Sequence, residues 1–100
     1  MRIYVKIEME MNFFWNRSNV EHIGKHGIST LQAEYIVENA SPPYPRMIGE
    51  SKRIVIGKLA NGEYLQVIYV PSRVIKDAVY VIHARPLTKD EKKHFRRRMR

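Results

Sequence analysis

RIVIGKLANGEYLQVIYV, residues 53–70, reads as two β-strands folded back on one another. Arg53 to Leu59 is rich in β-branched residues, which suit a pleated, half-buried surface. Asn61-Gly62 is a strong hairpin signal, because both central residues of the tight turn adopt positive φ. Tyr64 to Val70 is the returning strand. Pro71 to Asp77 reads as a second turn region, and Ala78 to Arg85 as a third strand. Three consecutive antiparallel strands therefore make the centre of the expected sheet.

Towards the N-terminus, Tyr44 to Lys52 reads as loop, with Pro45 and Gly49 as breakers. Ser29 starts a helix, with Gln32 at capping-box spacing. Leu31, Tyr35, Ile36 and Ala40 recur at helical spacing, and Ser41-Pro42-Pro43 stops the run. A shorter helix is expected over Asn16 to Gly27. Asn16 can cap it, Ser18 and Glu21 have capping-box spacing, and Gly27 can take the left-handed conformation that ends helices. Val20 and Ile23 give it a narrow apolar stripe. Trp15, following Phe13 and Phe14, reads as a core residue in a strand. Arg2 to Met9 alternates Ile3, Val5 and Ile7 with polar residues, the period of a half-buried strand.

Towards the C-terminus, Thr88 and Glu91 form a further capping box, and Phe95 and Met99 fall one helical turn apart. The order β-α-α-β-β-β-α predicts an α+β fold, with helices packed on one mostly antiparallel sheet. At 100 residues, the chain has the length of a single domain spanning 1–100.

The chain has no cysteine, which excludes disulfides and thiolate metal sites. Glu8 and Glu10 interrupt the apolar N-terminal stretch, so it does not read as a signal peptide. No apolar run approaches the roughly 18 residues of a membrane span. A cytoplasmic protein without a membrane partner is expected. The formal net charge is +8, and Arg85 to Arg100 contributes +6 of it. This asymmetry places an anion-attracting helix at the C-terminus, with Lys89, Lys92, Lys93, Arg96 and Arg97 as candidate RNA-binding residues.

No glycine-rich loop matches a nucleotide-binding fingerprint, and no serine lies in a nucleophile elbow. His22 and His26 are four residues apart on a helix, yet no third ligand is in sequence reach. Neither metal nor cofactor is expected. What remains suits phosphodiester chemistry. Cleavage of RNA needs a base for the ribose 2′-hydroxyl, an acid for the leaving 5′-oxygen, and cations for the phosphate. His83 and Arg85 share one face of the third strand. Arg53 begins the first hairpin strand, and Arg73 sits in the turn before the third. Trp15, Tyr64, Tyr69 and Tyr80 are candidates for base stacking.

The residues in this order resemble the BrnT family of type II toxins. The resemblance runs from Phe13-Phe14-Trp15-Asn16 through Asn19 and Lys25-His26-Gly27-Ile28-Ser29. It continues through Ala33 and Val37 to Arg53, Ile54 and Gly57. Tyr69-Val70-Pro71-Ser72-Arg73, His83-Ala84-Arg85, Thr88 and Glu91 complete it. It covers residues 13–95, leaving 1–12 as an N-terminal strand extension and 96–100 as a basic tail. It implies a RelE-like fold and a metal-independent ribonuclease that inhibits translation. It also implies an antitoxin partner similar to BrnA. The implied active surface comprises Lys25, His26, Arg53, Arg73, Arg85 and Glu91, with Arg85 and Arg53 on the phosphate and His26 or Glu91 as base or acid. Phe95 stands where the family usually has a tyrosine, and a phenylalanine cannot exchange a proton. The family often carries serine where His83 stands, so His83 is a candidate proton donor in its place.

Each residue also has an ordinary explanation. His26 can complement a helix dipole, Glu91 can serve only as a cap, and Lys25 can be a solvated helix residue. Two other functions fit the same basic face. One is a non-catalytic RNA- or DNA-binding module, the other a toxin-derived protein-interaction domain that binds an acidic chain. Pairing of Arg2–Met9 at an open sheet edge would make a homodimer.

Overall fold

The computed structural model describes residues 11–98. The expected strand at Arg2–Met9, the dimer edge it would offer, and Met99 lie outside the described residues. The elements are β1 (Asn12–Phe13), α1 (Arg17–Gly24), α2 (Thr30–Glu38), β2 (Arg46–Met47), β3 (Arg53–Lys58), β4 (Tyr64–Pro71), β5 (Ala78–Pro86) and α3 (Lys89–Arg98). The strands form one sheet in the order β1-β5-β4-β3-β2, antiparallel except where β1 runs parallel to β5. Three helices pack on this sheet, so the architecture is the expected α+β.

The hairpin register runs from Arg53 opposite Tyr69 to Lys58 opposite Tyr64. Its turn differs from the tight form. Gly62 has φ 94°, but Asn61 is not among the positive-φ residues. The Gly62 N–H donates to the Leu59 carbonyl at 2.9 Å, and the Leu59 N–H donates to the Glu63 carbonyl at 2.8 Å. Ala60 and Asn61 thus make the turn, and Gly62 alone supplies the left-handed residue that follows it. The segment expected as loop also contributes β2, where Arg46 pairs with Ile54 and Met47 with Arg53. Two residues carry no period to read. They pair because the β3 edge otherwise leaves backbone groups without partners.

The reciprocal cap of α1 is made by an asparagine pair, not by Ser18 and Glu21. Asn16 Oδ1 accepts from the Asn19 N–H at 3.1 Å, and Asn19 Oδ1 accepts from the Asn16 N–H at 2.8 Å. Asn19 is buried and its amide also donates to the Phe14 carbonyl at 3.2 Å, which ties α1 to the end of β1. Glu21 instead pairs with Arg17 along the exposed face. The helix ends at Gly24, short of the expected Gly27; Gly27, φ 75°, closes the turn that follows, with the Ile28 N–H donating to the Ile23 carbonyl. At α2 the Ser29–Gln32 box forms as expected. Its buried face is rotated from the expected stripe, however. Ala33, Ile36 and Val37 are buried, whereas Leu31 is 77% exposed and Tyr35 42%. Ile36 lies over Gly57 of β3, where a Cβ would meet Ile36 Cδ1 at 3.4 Å, so a larger side chain at 57 would crowd the helix.

Alternation along the strands gives the sheet two different faces. Val55, Gly57, Leu65, Val67 and Tyr69 share the face that α2 covers. Ile56, Tyr64, Gln66 and Ile68 lie on the opposite face. There Phe95 of α3 packs against Tyr64, with ring centroids 5.5 Å apart, and against Tyr44 at 6.2 Å. Trp15 stacks on Phe13 and packs against the core. Tyr69 is buried in that core, which removes it as a base-stacking surface. No helix among the described residues is long and apolar enough to cross a membrane.

Candidate functional site

The site begins with an irregularity in β5. Ile68 pairs with His83 but Tyr69 pairs with Val81, so Ile82 is an extra residue with no partner. This β-bulge shifts the alternation by one position. Val81 and Ala84 both point into the core, although three residues apart. On the other face, Tyr80 now joins His83 and Arg85 through its pairing with Val70. An unbroken strand would have put Tyr80 and His83 on opposite sides.

β1 pairs with β5 only at Ala78 and Val79, and α1 then packs along the same strand. This brings His22 and His26 to His83. The ring centroids are 5.5 Å apart for His26–His83, 5.8 Å for His22–His83 and 6.3 Å for His22–His26. Burial holds His83 below its ordinary pKa of 6.5, and the nearby His26, His22 and Arg85 charges push the same way. A neutral imidazole at neutral pH is one able to accept a proton. Among the described residues no group of three or more His, Cys, Asp or Glu is disposed to hold a metal ion.

Arg85, next along that face, is clamped. Its Nη1 and Nη2 donate to the two carboxylate oxygens of Glu91, each at 2.7 Å. Nη1 also donates to the Pro86 carbonyl at 3.1 Å, and Nη2 to Gln66 Oε1 at 3.4 Å. The guanidinium carries five N–H donors, so Nε–H is the one left for an incoming anion. Glu91 also accepts from the Thr88 N–H at 2.9 Å, completing the expected capping box. These bonds, that of Arg85 first, push its carboxyl down to about 2. Glu91 therefore has no proton to exchange near neutrality. It orients Arg85 and docks α3.

This clamp has a consequence for acid stability. A carboxyl depressed from 4.5 to about 2 contributes stability that is fully present above 4.5 and is lost as pH falls towards 2. The melting temperature of Glu91→Gln should consequently depend less on pH across that window than that of the parent chain. Parallel curves would show that the ion pair does not form. The Glu91 side chain is 36% exposed, so added salt should shrink the difference.

The other sequence candidates divide. Lys25 lines a cleft of about 420 Å³ with His22, Tyr80 and Ile82, and so belongs to the histidine surface. Arg73 lies beyond Tyr80, lining the neighbouring clefts. Arg53 is not brought to the histidines. It pairs with Tyr69 on the other face of the sheet, and its Nε lies 3.3 Å from Met47 Sδ. On α3, Lys89, Lys93 and Arg97 are exposed and Lys92 is half-buried. Arg96 lies over the Tyr64 ring, 5.3 Å from its centroid, and its Nε donates to the hydroxyl at 3.4 Å. That bond lowers the Tyr64 pKa. Tyr64 and Tyr80 are half-buried on the histidine face. Phe95 is taken up in packing. Sequence spacing alone ranked His22 only as half of a metal pair; its place beside His83 depends on the docking of α1.

Comparison of the chain with models of known protein families, with curated proteins and with solved structures finds no match.

Proposed function

We propose that this chain is a metal-independent endoribonuclease of the BrnT toxin type, inhibiting translation and neutralised by an acidic antitoxin. The observation that carries the reading is the convergence of His26 and His83, with His22 beside them, on a face that also holds Lys25 and Arg85. Two imidazoles at this separation can serve one phosphodiester from two sides. In this reading His83, held neutral, takes the proton of the ribose 2′-hydroxyl. The oxygen attacks the adjacent phosphorus, and the bond to the 5′-oxygen breaks. His26, the nearer ring, protonates that leaving oxygen. The Lys25 ammonium and the Arg85 Nε–H stabilise the charge that builds on the phosphate. The products are a 2′,3′-cyclic phosphate and a 5′-hydroxyl. The net charge of +8, concentrated in α3, favours RNA as substrate and an acidic chain as inhibitor.

A second reading, a non-catalytic RNA-binding module, is favoured by the occupancy of Arg85 by Glu91 and by Phe95 at the family's tyrosine position. Induced expression separates the two. The parent chain should arrest growth and fragment RNA, and Arg85→Ala should do neither while remaining folded by circular dichroism. Normal growth and intact RNA from the folded parent chain would replace the ribonuclease with the binding module.

A further inference from the structure

Beside the histidine surface lies a slot of about 250 Å³ that the cleavage chemistry leaves unused. Its walls are Phe14, Val70, Pro71, Val74 and Tyr80, with Asn16 and Arg73 among its few polar residues. A second cleft, of about 540 Å³, shares Val70, Pro71, Arg73 and Tyr80 with the slot and adds Lys52 and Ile82. Tyr80 and Ile82 are in turn walls of the cleft that holds His22 and Lys25. The three depressions thus run on from one another across β5, with Tyr80 common to all of them. Cations stand at both ends, Lys52 and Arg73 at one and Lys25 at the other. The Tyr80 ring is held in place. Its hydroxyl donates to Asn16 Oδ1 at 3.1 Å, and Phe14 leans on it with centroids 6.0 Å apart.

Resting on the ribonuclease reading, we propose that this slot takes one unpaired nucleobase of a single-stranded RNA lying across β5. The neighbouring phosphates lie on Arg73 and Lys52 on one side and on Lys25 on the other. Flat apolar walls fit the face of a base, and flanking cations fit the charged backbone that carries it. The slot is smaller than the pockets of about 300–1,000 Å³ that enclose drug-sized ligands, which matches a single ring system. A base stacked inside a duplex cannot enter it, so the site selects single strands. Tyr80 is a positioning and specificity residue in this scheme and takes no part in proton transfer.

The test uses a fluorescein-labelled 2′-O-methyl RNA octamer, which lacks the free 2′-hydroxyl and is bound without being cleaved. Anisotropy titrations should show Tyr80→Leu binding about tenfold more weakly, since stacking is the interaction lost. Its salt dependence should be unchanged, and Tyr80→Phe should recover most of the loss. Arg73→Ala should weaken binding and lower the salt slope by about one unit. Should Tyr80→Leu not fold, Val74→Trp fills the slot from a position 72% exposed and should weaken binding similarly. Leu31→Ser, on the exposed side of α2, serves as the unchanged control. Wild-type affinity in folded Tyr80→Leu, or an equal loss for a duplex of the same sequence, would overturn the subsite. An effect of Tyr80→Leu confined to a labelled polyglutamate peptide would overturn it in favour of a protein partner. Cleavage of unmodified RNA is scored separately. If the parent chain cleaves none and the octamer results hold, the subsite stands and the catalytic reading falls.

Discussion

His83→Ala is expected to lower RNA cleavage by about 10²- to 10⁴-fold, the range lost when a positioned general base is removed. The fold should survive, because His83 is only half-buried and the neighbouring core positions, Val81 and Ala84, are untouched. Binding of an uncleavable RNA should change little, since Lys25, Arg73 and the α3 cations remain. The pH dependence gives an independent readout. With the His83 pKa held below 6.5, the parent chain should keep its base in the active, unprotonated form at pH values where an ordinary histidine is already charged. The acid limb of the rate profile should accordingly fall below 6.5. His26→Ala should also reduce the rate while leaving His83 to define that limb. Full activity in purified His83→Ala would remove His83 from the mechanism. An acid limb at or above 6.5 would show that some other group is the base.

Ile36→Ala is expected to cost about 2–5 kcal/mol of stability, the range for deleting a buried aliphatic side chain. Ile36 is 1% exposed and fills the space above Gly57, where α2 meets β3. The substitution leaves a cavity that rigid sheet backbone on one side cannot close. Marginal stability is typical of domains of this size, so the variant should unfold at a much lower denaturant concentration, with the slope of the transition retained. Leu31→Ala on the same helix supplies the contrast. At 77% exposure it should change stability by less than about 0.5 kcal/mol. The pair tests how α2 is rotated. Equal costs at the two positions would mean that the helix presents the stripe expected from spacing, and not the face that buries Ala33, Ile36 and Val37.

Much of the fold was legible because its signals are local. The hairpin over residues 53–70 is announced by β-branched runs around Asn61-Gly62, and the strands fall within a residue of their expected limits. The caps at Ser29 and Thr88 depend on side chains three residues apart, and both form. Gly27 closes the turn after α1 through its own backbone freedom. The errors have a shared origin. Asn16 capped with Asn19 and not through Ser18, because Asn19 is also drawn inward to the Phe14 carbonyl. The two-residue β2 exists only because β3 offers an edge.

The candidate site was legible in part. His26, His83, Arg85 and Lys25 do lie on one surface, but Arg53 faces the other way and Glu91 is committed to Arg85. What the amino-acid sequence determined by itself is the type and order of the three helices and of the three long strands, and the basic character of α3, since propensity, capping and charge act over a few neighbouring residues. Only the tertiary structure decided which side chains meet. The bulge at Ile82 and the docking of α1 along β5 place His22, His26, Tyr80 and His83 together, His22 and His83 being 61 positions apart in the chain. The position of a bulge is set by how the flanking pairs pack against the core, and that packing has no signature in the spacing of the residues it moves.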